Sequence, residues 1–549
     1  MIRKCLLLSS VLIVVHSVIG QASQDIDSLL RGYSEPNSPG FSVAVIHDGE
    51  YIYAKGFGRA NLDYSIDNTD SSRFDIASVA KQFTAAAIWA LEEQGELSLE
   101  DPINSYLPEF PDYERPVRIR HLLNHTSGIR SYHTLMHLSG FNYTLDYYDL
   151  TDILELACRQ NKLNNVPGEV VAYSNTNYSL LTLIVEKVSG LDLNSFLEQY
   201  IFHPLEMMET EFRTSLGKTL PNKSVGYYPT PSGFAYDPDN QLSYGAGSAY
   251  SSVNDMCEWM HMLNGENSEF ISLANFLKTT EQLPNGKMAK YARGVMIDSY
   301  KGFEVVSHSG MGTGNRSQMI VVPEKKTGVI VLTNLGSIDA SDMAYKVLDL
   351  LLPEVLKTLP DSSPKVYNMQ LDLAQFEGEF RENNSDMTMK VFVENDSLKA
   401  LGAFGRSAYP LIPSEHFIFY RLDSENVKFD FNQEPNYDLV ISFGGNPFYF
   451  SRIELVPQDF IDLSIYEGEY FSNELEVTYS FKLRGENLVL SYPGNENVRL
   501  HSLQKDEFGN HDRTLFVFTK DDQNRVNGMN LSCDGNVQNI PFRKIEPSQ

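Results

Sequence analysis

The feature that most constrains the fold is a repeat in the last third of the chain. The segment "LDLAQFEGEF" (Leu371 to Phe380) recurs as "IDLSIYEGEY" (Ile461 to Tyr470), and "KVFVENDSLKAL" is echoed by "SFKLRGENLVLS" at the same separation. A long segment that repeats at a fixed distance indicates two copies of one structural unit. The tail is therefore expected to form two similar domains.

Each copy contains short runs in which apolar and polar residues alternate, such as "MTMKVFV", "VTYSFKL" and "TLFVFTK", separated by Asn, Asp, Gly and Glu. Alternation with a period of two predicts antiparallel strands with one buried face. A copy of roughly 90 residues has room for about eight strands, and closing them into a barrel removes exposed sheet edges. We predict two small antiparallel β-barrels of lipocalin-like architecture, over residues 369–456 and 457–549.

The region before the repeats mixes two patterns. The stretch "GFSVAVIHDGEYIYAKGFG" alternates like a hairpin, whereas "KQFTAAAIWALEEQGELSL" has helical spacing, and strand-like runs return late in "SQMIVVPE" and "GVIVLTN". Strands at both ends with helices between them predict an α+β domain whose antiparallel sheet is assembled from distant parts of the chain. We place this domain at residues 23–357. The Pro- and Ser-rich "TLPDSSPKVYN" (358–368) is typical of a linker.

The N-terminus has the pattern of a secretory signal peptide. Arg3 and Lys4 precede an apolar run from about Leu6 to Ile19, and small or polar residues follow. The apolar run is shorter than the roughly 20 residues that a membrane-spanning helix needs. We therefore expect residues 1–22 to be removed and the mature chain to be exported without a membrane span; an uncleaved anchor is the alternative.

Charge and cysteine content exclude two classes of partner. The formal net charge of -28 and the sequence pI near 4.8 argue against nucleic acid, because the protein's overall field repels phosphates. Cys158, Cys257 and Cys533 are scattered, and no Cys/His cluster has the spacing of a zinc site. We accordingly expect no metal and no cofactor. The sequence does not indicate an oligomeric state.

One lysine stands out in a stretch that is otherwise suited to burial, "FDIASVAKQFTAAAIWAL" (Phe74 to Leu91). On a helix, Ser78 and Lys81 would be neighbours on one face. A lysine against apolar side chains loses hydration, which favours its neutral form, and a neutral amine can take the proton of a serine. S-x-x-K also occurs by chance, and a lysine whose stem runs along a partly buried helix is the alternative.

Two further stretches strengthen the catalytic interpretation. In "VAYSNTNYSLL", Tyr173 and Asn175 stand just before an amphipathic helix, and in "VVSHSGMGTGN" the His308 motif lies beside a strand. Taken alone, Tyr173 could be an aromatic residue at a strand end, and Asn175 could be the N-cap of the helix. We interpret His125, in "LLNHTSG", as a structural residue that shapes a helix end and a turn.

In this order, the motifs make residues 23–357 resemble the penicillin-recognising serine hydrolases, the superfamily of class C β-lactamases, D,D-peptidases, D-aminopeptidases and related esterases. The resemblance implies a β-lactamase-like fold and a site built from three separated motifs. The family's S-x-x-K falls on Ser78 and Lys81, its Y-x-N falls on Tyr173 and Asn175, and its K-T-G or H-x-G falls on His308, Ser309 and Gly310.

The resemblance also implies a role for each residue. Ser78 is expected to be the acylated nucleophile, while Lys81 and Tyr173 share the general acid and base work. The backbone N–H groups of Ser78 and Met311 are expected to form the oxyanion hole. The substrate-binding residues implied are Asn175, His308, Ser309 and Gly310.

The third motif narrows the substrate. Class C β-lactamases usually carry K-T-G, whereas "HSG" is similar to the H-x-G variant of D,D-peptidases and D-aminopeptidases, and paired barrels after the catalytic domain are similar to the layout of bacterial D-aminopeptidases. We therefore expect hydrolysis of short peptides or amides that contain D-amino acids. The alternatives are an esterase or weak β-lactamase, and a non-catalytic cell-envelope protein whose barrels bind a ligand.

Overall fold

The computed structural model describes residues 22–284, 286–312, 314–352, 372–402, 407–415, 417–422, 424–432, 437–443 and 446–545. The predicted signal peptide up to residue 21 and the predicted linker at 358–368 lie outside the described residues. The chain divides into two compact units. The first comprises Met1–Ile129, Tyr143–Cys158 and Asn165–Leu359, and the second comprises Arg130–Asn142, Arg159–Asn164 and Pro360–Gln549.

The first unit is built around one antiparallel sheet of six strands, as the mixed pattern of the sequence predicts. Phe41 pairs with Thr333 and Ile46 with Gly328, so the first strands of the chain lie beside the last strands of the unit. The sheet is thus assembled from distant parts of the chain, which confirms the predicted α+β class. Its strand order is Met296–Tyr300, Phe303–Met311, Arg316–Val322, Thr327–Thr333, Phe41–His47 and Glu50–Phe57.

Helices cover the sheet because its central strands are apolar on both faces. All seven residues of Thr327–Thr333 are buried, which explains a continuous apolar run instead of an alternating one. One face packs against the helix Ala340–Leu351 and the helical residues 22–30. The other helices of the unit are Lys81–Glu93, Ile119–Leu123, Leu150–Cys158, Asn175–Ser189, Leu193–Leu197, Val253–Leu263 and Ile271–Lys278.

The helix Lys81–Glu93 is the most deeply buried of those near the predicted site. Ten of its thirteen residues are buried, and four of these are alanines. Phe83 packs edge-on against Trp259, with ring centroids 4.8 Å apart, and Trp259 donates a hydrogen bond of 2.8 Å to Gln82. This packing fixes the start of the helix, where the lysine stands.

The second unit contains the two predicted barrels. The first is a closed barrel of eight antiparallel strands, as predicted. Phe376 and Phe380 lie in its core. The strands are Gly378–Glu382, Thr388–Glu394, Ser397–Gly402, Tyr409–Glu415, Ile418–Arg421, Ser424–Asp430, Leu439–Phe443 and Asn446–Ile453.

The second barrel has nine strands where about eight were expected, and it is nearly closed. The extra strand arises at Leu500, whose N–H still donates to the carbonyl of Leu488 while the chain turns from one edge strand into the other. Its strand order is Asn495–Arg499, Asn487–Tyr492, Val477–Arg484, Gly468–Ser472, Val537–Ile545, Val526–Cys533, Thr514–Lys520, Glu507–Gly509 and His501–Gln504.

The repeat in the sequence is a repeat of hydrogen bonds. Glu377 accepts a bond of 2.7 Å from the N–H of Val393, and Glu467 accepts one of 2.8 Å from the N–H of Leu483. The two pairs occupy equivalent places in the two copies. In each repeat, the glutamate that follows Phe376 or Tyr466 therefore connects the start of the barrel to its second strand. Within the described residues, no helix is both long enough and apolar enough to cross a membrane.

The second unit also holds a buried ion pair. Arg130, which precedes the helix Tyr132–Leu138, donates to Glu474 at 2.6 Å, and both side chains are only 1% exposed. The guanidinium also donates to Gln160 at 3.0 Å and to the Gln538 carbonyl at 2.6 Å. The segment from Arg130 is therefore fastened to the turn that carries Glu474.

We predict that Glu474→Gln destabilises the second unit. Removing one charge leaves the Arg130 guanidinium buried without its counter-ion, which costs about 3 kcal/mol of the free energy of unfolding. Urea unfolding followed by circular dichroism measures the loss. Asp534→Asn is the matched control, because it removes the exposed pair with Arg513 and should cost less than about 1 kcal/mol. Equal costs for the two variants would contradict the prediction.

Candidate active site

Ser78 and Lys81 meet at the junction of two helical segments. Ser78 lies in a 3₁₀ turn, Ala77–Ala80, and Lys81 is the first residue of the following α-helix. In a 3₁₀ turn, residues three apart stand directly above one another. The Lys81 Nζ consequently lies 3.0 Å from the Ser78 Oγ. The expected pair is formed, although a single α-helix was expected to carry both residues.

The Lys81 amine is buried, and no acidic side chain in the described part of the chain forms an ion pair with it. Burial lowers the pKa of Lys81 well below its ordinary value. Its Nζ donates a 2.6 Å hydrogen bond to the carbonyl of Ala246. A neutral amine held in this way directs one N–H at the carbonyl and keeps its lone pair for the serine hydroxyl.

Tyr173 lies near both Ser78 and Lys81. Its ring centroid is 5.0 Å from the Lys81 Nζ, and its hydroxyl interacts with the Ser78 side chain. Although the whole side chain is 38% exposed, the surroundings of the hydroxyl are buried. Burial raises the pKa of Tyr173, and the contact with Ser78 offsets only part of that rise. The phenol therefore keeps its proton near neutral pH.

His125 positions the segment that carries Tyr173. Its Nδ1 accepts a 3.2 Å hydrogen bond from the N–H of Ser174 and lies 3.0 Å from the Nδ2 of Asn177. The rings of His125 and Tyr173 are 4.2 Å apart. Burial, together with the nearby Lys81, holds the pKa of His125 well below its usual range. The predicted structural residue thus lies against a predicted catalytic one, which its place in "NHTSG" did not indicate.

His308 is buried and bonded on both sides of its ring. Its Nε2 lies 3.0 Å from the hydroxyl of Tyr291, and its Nδ1 lies 2.6 Å from the Ser309 carbonyl. Burial lowers the pKa of His308 to about 3. The imidazole is therefore neutral. Tyr291, which no sequence motif singled out, also lies 5.8 Å from the Tyr173 ring.

The strand that carries His308 passes close to the turn that carries Ser78. A Cβ on Gly310 would lie 2.4 Å from the Ile76 carbonyl, so only glycine permits this approach. The Ser317 hydroxyl donates to the same carbonyl at 2.7 Å. The strand ends at Met311, whose side chain is 74% exposed. The two segments predicted to form the oxyanion hole are thus neighbours, and the assignment of their N–H groups stays a prediction.

Asp75 supports the backbone before the serine. Ala77 has a φ of 47°, in the left-handed region that residues other than glycine seldom adopt. The carboxylate of Asp75 accepts a 2.9 Å hydrogen bond from the Ala77 N–H. Burial and the neighbouring Asp239 raise the pKa of Asp75. The sequence analysis did not predict this role, because Asp75 belongs to no recognised motif.

The remaining predicted residues lie on the same elements. Asn175 is the first residue of the helix Asn175–Ser189, two residues after Tyr173, and Ser174 is the N-cap of that helix. Ser309 has an exposed side chain on the strand Phe303–Met311. The structure thus brings Ser78, Lys81 and Tyr173 together, with His308 in the adjoining ring cluster. A serine with a buried amine on one side and a protonated phenol on the other is equipped for acyl transfer.

Comparisons with known proteins agree with this geometry. The family described as Beta-lactamase matches residues 26–352. Penicillin-binding protein 4* of Bacillus subtilis (strain 168) is 30% identical over 334 residues, which are 56% of this chain and 71% of that protein. Protein flp of Staphylococcus aureus (strain MRSA252) is 28% identical over 327 residues, 58% of this chain and 64% of that protein.

A solved structure extends the similarity. The octameric penicillin-binding protein homologue from Pyrococcus abyssi is 26% identical, with a TM-score of 0.55, and the match covers 79% of this chain and 100% of that one. This share of the chain is larger than residues 26–352 alone.

We predict that His125→Ala lowers kcat with little change in secondary structure. Loss of the ring removes the acceptor for the Ser174 N–H and lets Tyr173 shift, and a displacement of about 1 Å in such a site costs about 10²-fold in rate. Steady-state hydrolysis of an activated ester measures the effect. His121→Ala is the matched control, since His121 is also buried but caps a helix at Arg118. A comparable loss of kcat in the control would contradict the prediction.

Proposed function

The chain belongs to the beta-lactamase family, and from that premise we propose that it is an exported serine hydrolase that forms an acyl-enzyme on Ser78 and hydrolyses short peptides or amides containing D-amino acids. The assignment to the serine hydrolases follows from the family. The observation that carries the proposed chemistry is the 3.0 Å approach of a buried, neutral Lys81 to the Ser78 hydroxyl.

The electrostatics of the site divide the acid and base work between Lys81 and Tyr173. A general base must be deprotonated before the reaction, and burial favours the neutral form of an amine. The same burial opposes formation of a tyrosinate, since it raises the pKa of Tyr173. Lys81 is therefore the base that activates Ser78, and Tyr173 is the acid.

The proposed reaction runs in two halves. Ser78 Oγ attacks the substrate carbonyl as its proton passes to Lys81 Nζ, and Tyr173 gives its proton to the leaving amine nitrogen. The Lys81 ammonium then returns its proton to the Tyr173 phenolate, so that both groups regain their starting protonation states. In the second half, a water molecule attacks the acyl-enzyme and the same groups return Ser78 to its hydroxyl form. Backbone N–H groups of Ser78 and Met311 stabilise the oxyanion in each half.

The state of His308 supports an amide substrate without a strong demand for a carboxylate. A lysine at this point of the strand would supply a positive charge, whereas the buried imidazole of His308, bonded to Tyr291, is neutral. The resemblance of "HSG" to the H-x-G variant supports substrates related to D-peptides. The name of the relative that is 30% identical, a penicillin-binding protein, supports an acyl-enzyme formed on an amide carbonyl.

Export rests on the pattern of Arg3, Lys4 and the apolar run from Leu6 to Ile19. It is tested by measuring the intact mass of the protein recovered outside the cytoplasm after expression of the full chain. A mass that lacks about the first 22 residues is expected. Recovery of the unprocessed chain in the membrane fraction would favour the uncleaved anchor.

The substrate class is tested with matched D-alanine and L-alanine p-nitroanilides, a p-nitrophenyl ester and a chromogenic cephalosporin. We expect the highest kcat/KM among the amides for the D-alanine compound, and no turnover by Ser78→Ala. Turnover of the ester alone would replace the proposal by an esterase, and preference for the cephalosporin would replace it by a β-lactamase. Absence of a covalent fluorophosphonate adduct on Ser78 would favour the non-catalytic binding protein.

We predict that Tyr173→Phe slows amide hydrolysis by at least about 10²-fold but slows ester hydrolysis much less. An amine needs a proton to leave, whereas a nitrophenolate leaves without one. Tyr178→Phe is the matched control: its ring lies in the same cluster, 5.7 Å from the Lys81 Nζ, but its hydroxyl donates to the Leu123 carbonyl. The amide-to-ester ratio should fall only in the Tyr173 variant, and an equal fall in both would contradict the assignment.

A further inference from the structure

The second unit contains a cluster of side chains that can bind a metal, and none of them belongs to the hydrolase site. Asp386 comes from the turn between the first two strands of the first barrel. In the second barrel, His501 is the first residue of the strand His501–Gln504, and His511 follows the strand Glu507–Gly509. One ligand atom from each residue lies within 4.8 Å of the other two. The cluster therefore joins residues from both copies of the repeat.

The second barrel is shaped to admit the Asp386 side chain. Gly509 pairs directly with His501 across the hairpin. A Cβ on Gly509 would lie 2.4 Å from the Asp386 Cβ and 2.6 Å from the His501 ring. A glycine is therefore required for the carboxylate to pass over the hairpin. The N–H of His511 then donates a 2.7 Å hydrogen bond to Asp386 Oδ2.

The carboxylate is buried without a full set of partners. Asp386 is 1% exposed, and its Oδ2 lies 3.9 Å from the Nε2 of His501. Its Oδ1 has no hydrogen-bond partner among the described residues, nor has the Nδ1 of His501. No lysine or arginine forms an ion pair with Asp386 within the described ranges. A buried carboxylate in this state is costly unless a cation joins it.

The second repeat shows how such a carboxylate is otherwise compensated. The corresponding turn, between Gly468–Ser472 and Val477–Arg484, carries Glu474, which is equally buried and is paired with the Arg130 guanidinium. Two imidazoles lie near the buried carboxylate in the turn of the first repeat, whereas the buried carboxylate in the turn of the second repeat is paired with an arginine. Imidazole nitrogens and a carboxylate oxygen are the ligands of a divalent cation.

We propose that Asp386, His501 and His511 bind one divalent transition-metal cation of the Zn²⁺ type. Metal–ligand distances of about 2.0–2.2 Å place ligand atoms about 3–4 Å apart around an ion, which matches the 3.9 Å between Asp386 and His501. The two imidazole rings are stacked, with centroids 3.7 Å apart. In the proposed site, the exposed His511 ring would rotate so that one nitrogen of each imidazole faces the ion.

The ion would clamp the turn of the first barrel to the hairpin of the second. The two histidines and the aspartate supply three ligands, so a water molecule completes a tetrahedral set. This proposal departs from the expectation of no metal, which was drawn from Cys/His spacing alone, because the three ligands are far apart in the chain. The bound cation would neutralise Asp386 as Arg130 neutralises Glu474.

The test uses the full chain with any affinity tag removed, treated with EDTA and then dialysed against Zn²⁺. We expect elemental analysis to find one zinc per chain, and Co²⁺ in its place to give visible d–d absorption bands. His501→Ala, His511→Ala and Asp386→Asn should each weaken zinc binding more than about 100-fold, since even groups that only orient ligands contribute about 10–100-fold. His203→Ala, which removes an exposed histidine elsewhere, should retain the zinc.

The zinc content of the wild-type protein, compared with that of the variants, can overturn the proposal. If it retains no more zinc than the double variant His501→Ala/His511→Ala, or if the His203 control loses as much zinc as the cluster variants, the site does not exist. Thermal unfolding provides a second readout, because zinc should raise the unfolding temperature of the wild type and leave that of Asp386→Asn unchanged. Hydrolase activity is not used, so the result is independent of the proposed function.

Discussion

The burial of one lysine beside one serine is the constraint on which the rest of the hydrolase unit depends. An amine with water around it stays protonated near neutral pH and cannot accept a proton from Ser78. Lys81 avoids this state because the start of its helix is enclosed by side chains and its Nζ is engaged by the Ala246 carbonyl. The proposed chemistry therefore requires the burial of this helix at its start, where Lys81 stands.

The surrounding residues keep Ser78 and Lys81 in place, although the backbone just before Ser78 is strained. Ala77 adopts a left-handed conformation that is sustained by the Asp75 carboxylate. Gly310, which has no side chain, lets its strand lie close to the Ile76 carbonyl. His125 accepts a hydrogen bond from the N–H of Ser174 and so positions the segment that carries Tyr173. Rigid elements on several sides are what keeps a reacting group within the tolerance that catalysis needs.

The sequence predicted those features in which one local pattern has one physical meaning. Alternating runs in a repeat predicted the barrels, and three separated motifs predicted that Ser78, Lys81 and Tyr173 would meet. The resemblance to the penicillin-recognising hydrolases and the predicted fold class are confirmed by the family match and the strand pairing. The sequence did not predict the roles of single residues that belong to no motif. Tyr291 contacts His308, and Asp75 accepts a hydrogen bond from Ala77, only because the fold brings these residues together.

The second unit also has features that the sequence did not predict. The repeat predicted two copies, but it did not predict the turn at Leu500, where the chain passes from one edge strand to the other and a ninth strand results. The cluster of Asp386 and the two histidines depends on the packing of one copy against the other, which no pattern within a copy encodes. Compensation of the buried Glu474 by Arg130, from a distant part of the chain, is equally invisible in the repeat.

The central claim, that Lys81 is a neutral base, is tested most directly by the rate at which a fluorophosphonate labels Ser78 from about pH 5 to about pH 10. Below the pKa of Lys81 the amine is protonated and cannot activate Ser78. The rate should therefore rise along a limb that lies well below 10.5, the ordinary value for lysine, and Lys81→Met should abolish the limb. A rate that keeps rising to about pH 10, or a limb that survives in Lys81→Met, would contradict the account.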